Sequence, residues 1–381
     1  MSGRARVERK RGVFHFVATV TVLSLLTGSL GSAGAAYPRP GRAWMASLGH
    51  DDRPSEGSIP HEISLSGNGR VLAFSSEDDL APTDRNPLGA DLYARNFRSE
   101  TTEHISVDSD GEGGVGGCVT PNASDPSNPI IVDAYAVEPD VSRSGRFIAY
   151  SSCLTTLVPG DTNNARDVFV RDVKLGRTIL VSRTPEGEVG NASSDLPSIS
   201  GDGRLVVFRS VSSDLLDGDT NGKSDTFLHD LKTGETTRIS LDSEGNQATE
   251  DSSCGAIDES GRYVAFTSFA ALVPDDPPLR NPAAASDVYV RDLDTDELEI
   301  VSLRAIERPS AVLDGAGPST GCTKAISRGG RYVTYGSGAA GHVPNDGKIQ
   351  DGDIYMFDRA TDRTVRVSVT SSGETKQYRG E

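Results

Sequence analysis

One three-part phrase recurs five times along the 381-residue chain, and it limits the possible folds more than any other feature. Each copy opens on a small-residue turn with Gly-Arg leading into an apolar strand: Gly69-Arg70 before VLAFSS, Gly145-Arg146 before FIAYSS, Gly203-Arg204 before LVVFRS, Gly261-Arg262 before YVAFTS and Gly330-Arg331 before YVTYGS. An acidic loop follows, then Asp-x-aromatic at Asp91, Asp167, Asp225, Asp287 and Asp353. A tight turn and a last strand close the copy, as in TTRISLD. A short strand also precedes the Gly-Arg turn, as at Pro197-Ser198-Ile199-Ser200. Self-similarity of this kind marks an array of like supersecondary units.

Each unit therefore holds four short strands. Alternation is plain in Asp287-Val288-Tyr289-Val290-Arg291-Asp292, as expected of a strand with two distinct faces. The connecting turns are rich in Gly, Asp, Asn and Ser, which suits hairpins that need positive φ. Successive Gly-Arg arginines stand 76, 58, 58 and 69 residues apart, and the long gaps match insertions at about 111–135 and 305–318. Four antiparallel strands at this period describe a propeller blade, which buries both of its faces only by packing on its neighbours. The predicted fold is all-β: a β-propeller of four-stranded antiparallel blades over residues 58–370, with five clear units and a six-bladed closure left open. In the preceding segment, 36–57, the run from Ala43 to Leu48 reads as a strand that seals the ring or adds to its rim.

The phrase S-x-x-G-R-Y-V-A-F-x-S, then D-V-Y-V-R-D, then T-G-E-T-x-R-I-S resembles the TolB-type propeller repeat of bacterial exported proteins. The match is strongest from Gly203 to Leu241 and from Gly261 to Asp292. The resemblance implies a propeller, usually six-bladed, and export. TolB proper also carries an N-terminal domain that contacts partners at the outer membrane. Only about 20 residues separate the predicted cleavage site from the first unit, so the resemblance does not carry the Tol-system role over.

Residues 1–35 read as a signal peptide. Arg4, Arg6, Arg9, Lys10 and Arg11 precede an apolar stretch, and Ala33-x-Ala35 fits a signal-peptidase site. The mature chain is expected outside the cytoplasm, secreted or in the cell envelope, as a monomer with no membrane span and a C-terminal tail at 371–381. The formal charge is −17; the leader's five bases and Glu8 carry a net +4, which leaves −21. So acidic a chain argues against nucleic-acid or anionic-lipid partners, which need a basic face. Four cysteines in an exported chain favour disulfides over zinc, which is usually bound at closer spacings. The expected pairs are Cys118–Cys153 and Cys254–Cys322.

The acidic loops carry the most suggestive chemistry. Asp161, Asn163 and Asp167 in the second unit match Asp219, Asn221 and Asp225 in the third, a D-x-N-x-x-x-D spacing. Its oxygens suit Ca²⁺ as a hard cation, but the bidentate Glu that ends an EF-type loop is absent, and the same residues close Asx-turns. Looser versions occur at Asp84, Asn86 and Asp91 and at Asp346, Asp351 and Asp353. The Gly-Arg arginines and the aspartates that end the third strands (Asp172, Asp230, Asp292, Asp358) read as structural, because repetition marks architecture. No catalytic motif is present: His61-Glu62 starts a zincin motif that fails at Leu65, and no G-x-S-x-G elbow exists. The expected function is non-catalytic binding or scaffolding of a protein or polysaccharide ligand, with no resident cofactor unless calcium. The alternative is a carbohydrate-active enzyme with a carboxylate pair at the propeller channel.

Overall fold

Strands with apolar residues on both faces require every sheet to be covered twice. A computed structural model shows how this is met at residues 62–85, 89–120, 130–133, 135–274, 276, 286–302, 325–337, 343 and 353–369. The predicted signal peptide, the segment 36–57, the tail 371–381, Asn86, Cys322, Asp346 and Asp351 lie outside these described residues. The first sheet runs β1 (Ile63–Leu65), β2 (Val71–Ser76), β3 (Asp91–Asn96) and β4 (Thr101–His104) in chain order. A separate hairpin follows, β5 (Cys118–Thr120) and β6 (Ile130–Asp133). The second sheet holds β7 (Ala136–Val141), β8 (Phe147–Ser152), β9 (Asp167–Asp172) and β10 (Arg177–Leu180). The third holds β11 (Ser194–Ile199), β12 (Leu205–Ser210), β13 (Asp225–Asp230) and β14 (Thr236–Arg238). The fourth holds β15 (Ser252–Ile257), β16 (Tyr263–Ser268), β17 (Asp287–Asp292) and β18 (Leu298–Ile300). The fifth holds β19 (Tyr332–Ser337), β20 (Asp353–Asp358) and β21 (Arg363–Arg366), with Ile326 bridged to Val333 where a first strand would lie.

Every pairing is antiparallel, and the described residues contain no helix. This is the predicted all-β propeller architecture, although the five sheets are not closed into a ring: no described strand joins the fifth to the first.

The core consists of the interfaces between blades. Along β8 and β9, Ile148, Tyr150 and Phe169 face the first sheet, while Ala149, Val168 and Val170 face the third. The two-residue period of each strand thus feeds two different interfaces. One aromatic pair sits directly cross-strand in every blade: Phe74 and Tyr93, Tyr150 and Phe169, Phe208 and Phe227, Phe266 and Tyr289, Tyr335 and Tyr355. Their ring centroids lie 5.7–6.1 Å apart, and all ten rings are buried. These pairs lock nearly half of the 11 Phe and 10 Tyr inside the blades.

Each Gly-Arg turn closes the first two strands at one end of the blade. Gly203 has φ +79°, and a Cβ there would collide with the Phe147 ring of the preceding blade. The neighbouring arginines clamp the end of the third strand. Arg146 Nε donates to Asp172 at 2.9 Å, Arg262 Nε to Asp292 at 2.9 Å and Arg331 Nε to Asp358 at 2.8 Å, each bidentate through Nη2. Arg204 and Asp230 repeat the clamp, whereas Arg70 faces Asn96 at the equivalent place. The turns are also stitched across blades, by Asn68 N to Arg143 O (3.0 Å), Arg143 N to Gly201 O (3.0 Å) and Gly201 N to Glu259 O (3.1 Å).

Candidate functional site

In antiparallel blades the starts of the first and third strands and the end of the second meet at the opposite end. We refer to it as the loop end. The third-strand aspartates are fixed there by a serine fifteen residues later. Ser106, Ser182, Ser240, Ser302 and Ser368 donate to Asp91, Asp167, Asp225, Asp287 and Asp353 at 2.5–2.7 Å. Each serine oxygen also accepts the amide that follows the aspartate, at 2.9–3.1 Å. Asp167 and Asp225, which the sequence offers as turn residues or calcium ligands, also lock the third strand to the fourth. The signal was present as a serine in each closing phrase, HIS, LVS, RIS, IVS and RVS.

The asparagines are also engaged. Asn163 Nδ2 donates to Asp167 Oδ2 (2.8 Å) and to Gly190 O (2.9 Å), while its Oδ1 accepts the Ala165 amide. Asn221 repeats this with Asp225, Ala248 O and Lys223 N. Both therefore turn the amide nitrogen, not the oxygen, toward the carboxylate. Among the described residues no cluster of three or more His, Cys, Asp or Glu is placed to hold a metal.

What serves the remaining loop carboxylate differs from unit to unit. In the third, Asp219 accepts Gln247 Nε2 at 2.7 Å and forms an ion pair with Arg238 Nη2 at 3.0 Å, while Arg238 Nε lies 3.3 Å from Asp225. The guanidinium bridges two carboxylates that are both almost fully buried. In the first, Tyr93 donates to Asp84 at 2.6 Å and His104 lies 3.2 Å from Asp91. In the fourth, Tyr289 donates to Asp276. In the fifth, Arg366 stands 3.3 Å from Asp353. The second unit has neither kind of donor: Phe169 stands where Tyr93 and Tyr289 stand, and Leu180 where Arg238 stands. Burial pushes Asp161 up to about 6 and Asp167 up to about 7.

The first strands β1, β7, β11 and β15 lie beside one another and line the axis. The loop-end starts of β7, β11 and β15 bulge, at Val137/Asp140, Asp195/Ser198 and Ser253/Ala256. Glu138 and Leu196 hold positive φ of 57° and 53° there. Pro139 and Pro197 follow them and lack the N–H a ladder needs, which favours the bulge. The bulges gather charges from successive blades at the axial mouth. Glu138 Oε2 accepts Ser151 Oγ (2.7 Å) and the Leu196 amide (2.8 Å), with Arg166 at 3.7 Å, and its own amide donates to Glu62. Asp195 accepts Arg209 Nε at 2.7 Å in a bidentate pair. Burial raises Glu138 above the usual carboxylate range. Sequence reading placed a possible carboxylate pair at the channel but named neither residue.

Further along the axis, buried Asp140 ties three blades by accepting Ser64 Oγ (3.2 Å), Ser198 Oγ (3.3 Å) and the Ile199 amide (2.9 Å). A disulfide joins Cys118 to Cys153, Cα atoms 5.0 Å apart, and fastens the β5–β6 hairpin to the loop end of the second blade. The expected Cys254–Cys322 pair falls on Cys322, outside the described residues.

No family model matches the chain, and no curated protein matches it. Solved structures do. TolB from Acinetobacter baumannii is similar at 12% identity and a TM-score of 0.42, over 82% of this chain and 54% of that one. This chain thus spans about half the length of that protein. A putative TolB from Agrobacterium tumefaciens is similar at 14% identity and a TM-score of 0.41, over 80% and 78%. The β-propeller domain of the Trilobed protease from Pyrococcus furiosus, described as an open velcro topology, is similar at 11% identity and a TM-score of 0.42, over 81% and 71%. The fold assignment rests on the strand order and registers of the sheets themselves.

Proposed function

We propose that the chain is an extracytoplasmic binding or scaffold propeller that takes a protein or polysaccharide ligand at the axial mouth of its loop end. The observation that carries this reading is the gathering of Glu138, Arg166, Asp195 and Arg209 from two successive blades, all partly open to solvent. The Gly-Arg end repeats one clamp instead. Mixed charges held on bulged strands offer a rigid, polar surface of the kind that gives specificity to a ligand carrying both signs. The Cys118–Cys153 disulfide suits an oxidising compartment.

The test is retention of isolated cell-wall polysaccharide, or of an envelope protein fraction, on immobilised mature chain. Arg166→Glu with Arg209→Glu is expected to abolish retention, while Arg204→Ala at the other end preserves it. Retention indifferent to the double variant, or absent for both fractions, contradicts the reading.

One observation favours a second reading. Glu138 is raised by burial and feels the charge of Asp195 beside it, and a pair of neighbouring carboxyls is what glycoside cleavage uses. Against it, Asp195 is already committed to Arg209. Release of reducing sugar by the wild-type chain and its loss in Glu138→Gln would replace the binding account with the enzymatic one.

A further inference from the structure

The second and third units build the same cage with different contents. In both, an asparagine joins the third-strand aspartate to a neighbouring carbonyl, and a serine locks that aspartate from behind. The third unit fills its cage with the Arg238 guanidinium and supports it with Gln247. The second unit has apolar residues at both positions. Leu180 occupies the Arg238 place, two residues before the lock serine, and Val189 occupies the Gln247 place in the equivalent bridge. No tyrosine hydroxyl substitutes either, because Phe169 stands at that position.

The consequence falls on Asp161. Its residue exposure is 9%, and its Oδ1 is buried with no hydrogen-bond partner. The side chain receives only the Asn163 backbone amide, and Asp161 and Asp214 both press on Asp167 electrostatically. A buried carboxylate oxygen without a partner is costly unless a cation or proton reaches it. Asp276 Oδ1 is also buried without a partner, but Asp276 has a side-chain donor on its other oxygen, Asp84 and Asp219 each have one too, and Asp161 has none.

We propose that the second unit is a cation site, in which a hard divalent cation lies between Asp161 and Asp167 and supplies the charge that Arg238 supplies in the third. Carboxylate oxygens are the ligands such ions prefer, and two carboxylates completed by carbonyl and water oxygens suit Ca²⁺. The asparagine does not interfere, since in the third unit Asn221 Nδ2 and Arg238 Nε share Asp225 Oδ2 at 3.1 and 3.3 Å. This site is independent of the axial mouth and of any ligand bound there.

The experiment uses the mature chain, Ca²⁺ as the probe, and calorimetric titration alongside thermal melts at pH 7.5 and constant ionic strength. One equivalent of Ca²⁺ is expected to bind, and saturating Ca²⁺ is expected to raise Tm by roughly 3–8 °C over EDTA. Asp161→Asn, which keeps the shape and removes one charge, is expected to fold and to lose both responses. Leu180→Arg is expected to lose Ca²⁺ binding by installing the internal cation. No Ca²⁺ binding by the wild-type chain at millimolar concentration overturns the proposal. So does binding that survives Asp161→Asn. A Tm that rises as pH falls from 8 to 6, identically with and without Ca²⁺, overturns it in favour of a shared proton.

Discussion

The two ends of the blades treat the same residue type in opposite ways. At the Gly-Arg end, Asp230, Asp292 and Asp358 sit beside exposed arginines, and the paired guanidinium lowers each to about 2. At the loop end, Asp161 and Asp167 are buried and pushed up to about 6 and about 7. The first arrangement recurs in four of the five blades, whereas the second draws on a tyrosine, an arginine or neither, depending on the unit. Uniformity goes with architecture: one clamp holds four of the blades alike. Variation confined to one end leaves that end free to carry a site. The energetic weight is also unequal. Solvent-exposed pairs are worth about 0–1 kcal/mol, whereas removing one partner of a buried pair costs about 3–5 kcal/mol.

The largest expected effect follows from the buried guanidinium. Arg238→Leu gives the third unit the contents of the second and leaves Asp219 and Asp225 without their cation. Urea unfolding is expected to show a loss of about 3–5 kcal/mol. A loss below about 1 kcal/mol would mean that the two cages are equivalent, and the distinction between units would fall.

Next comes the Gly-Arg end. Gly203→Ala forces a side chain into a positive-φ position and against Phe147, with an expected cost of about 2–4 kcal/mol. Gly187 has φ +91° but open space around it, so Gly187→Ala should cost only about 1 kcal/mol. Equal losses would show that blade contact at this end contributes nothing.

A smaller pair of substitutions compares the two ends directly. Ser182→Ala leaves the Val168 amide and a buried Asp167 oxygen short of a partner, at about 1–3 kcal/mol. Arg204→Ala removes an exposed clamp and should leave the urea midpoint almost unchanged. The reverse order would invert the assignment of strength to the two ends.

Most of the fold was legible because a propeller writes its interfaces as a repeat. The Gly-Arg spacing located the blades, and the alternation in DVYVRD located their two faces. The arginine clamps were also readable, since an arginine and an aspartate recur at fixed places in four units. The β5–β6 hairpin was not, because the insertion that holds it has no second copy. At the loop end the sequence supplied the right aspartates but not their partners. Whether Asp167 meets a serine, an asparagine amine or a metal depends on groups brought in by the fourth strand and the loop beyond it. The fourth-strand position that matters reads His104, Leu180, Arg238, Ile300 and Arg366, which has no pattern until register aligns it. The axial mouth had one overlooked signal: Pro139 and Pro197 inside first strands imply bulges, and bulges re-aim side chains.

The central claim is that the two ends carry carboxylates of opposite character, and the pH dependence of stability measures it directly. A carboxylate lowered in the folded state contributes stability above its unfolded value near 4, which is lost as pH falls toward 2. A raised carboxylate contributes stability below about 4 that is lost as pH rises through 6 to 7. Melts of the mature chain in EDTA from pH 2.5 to 8.5 should therefore peak between about pH 4 and 5. The alkaline descent should flatten in Asp161→Asn with Asp167→Asn, and the acid descent should persist in that variant. A wild-type profile that stays level or climbs from pH 5 to 8 would contradict the account.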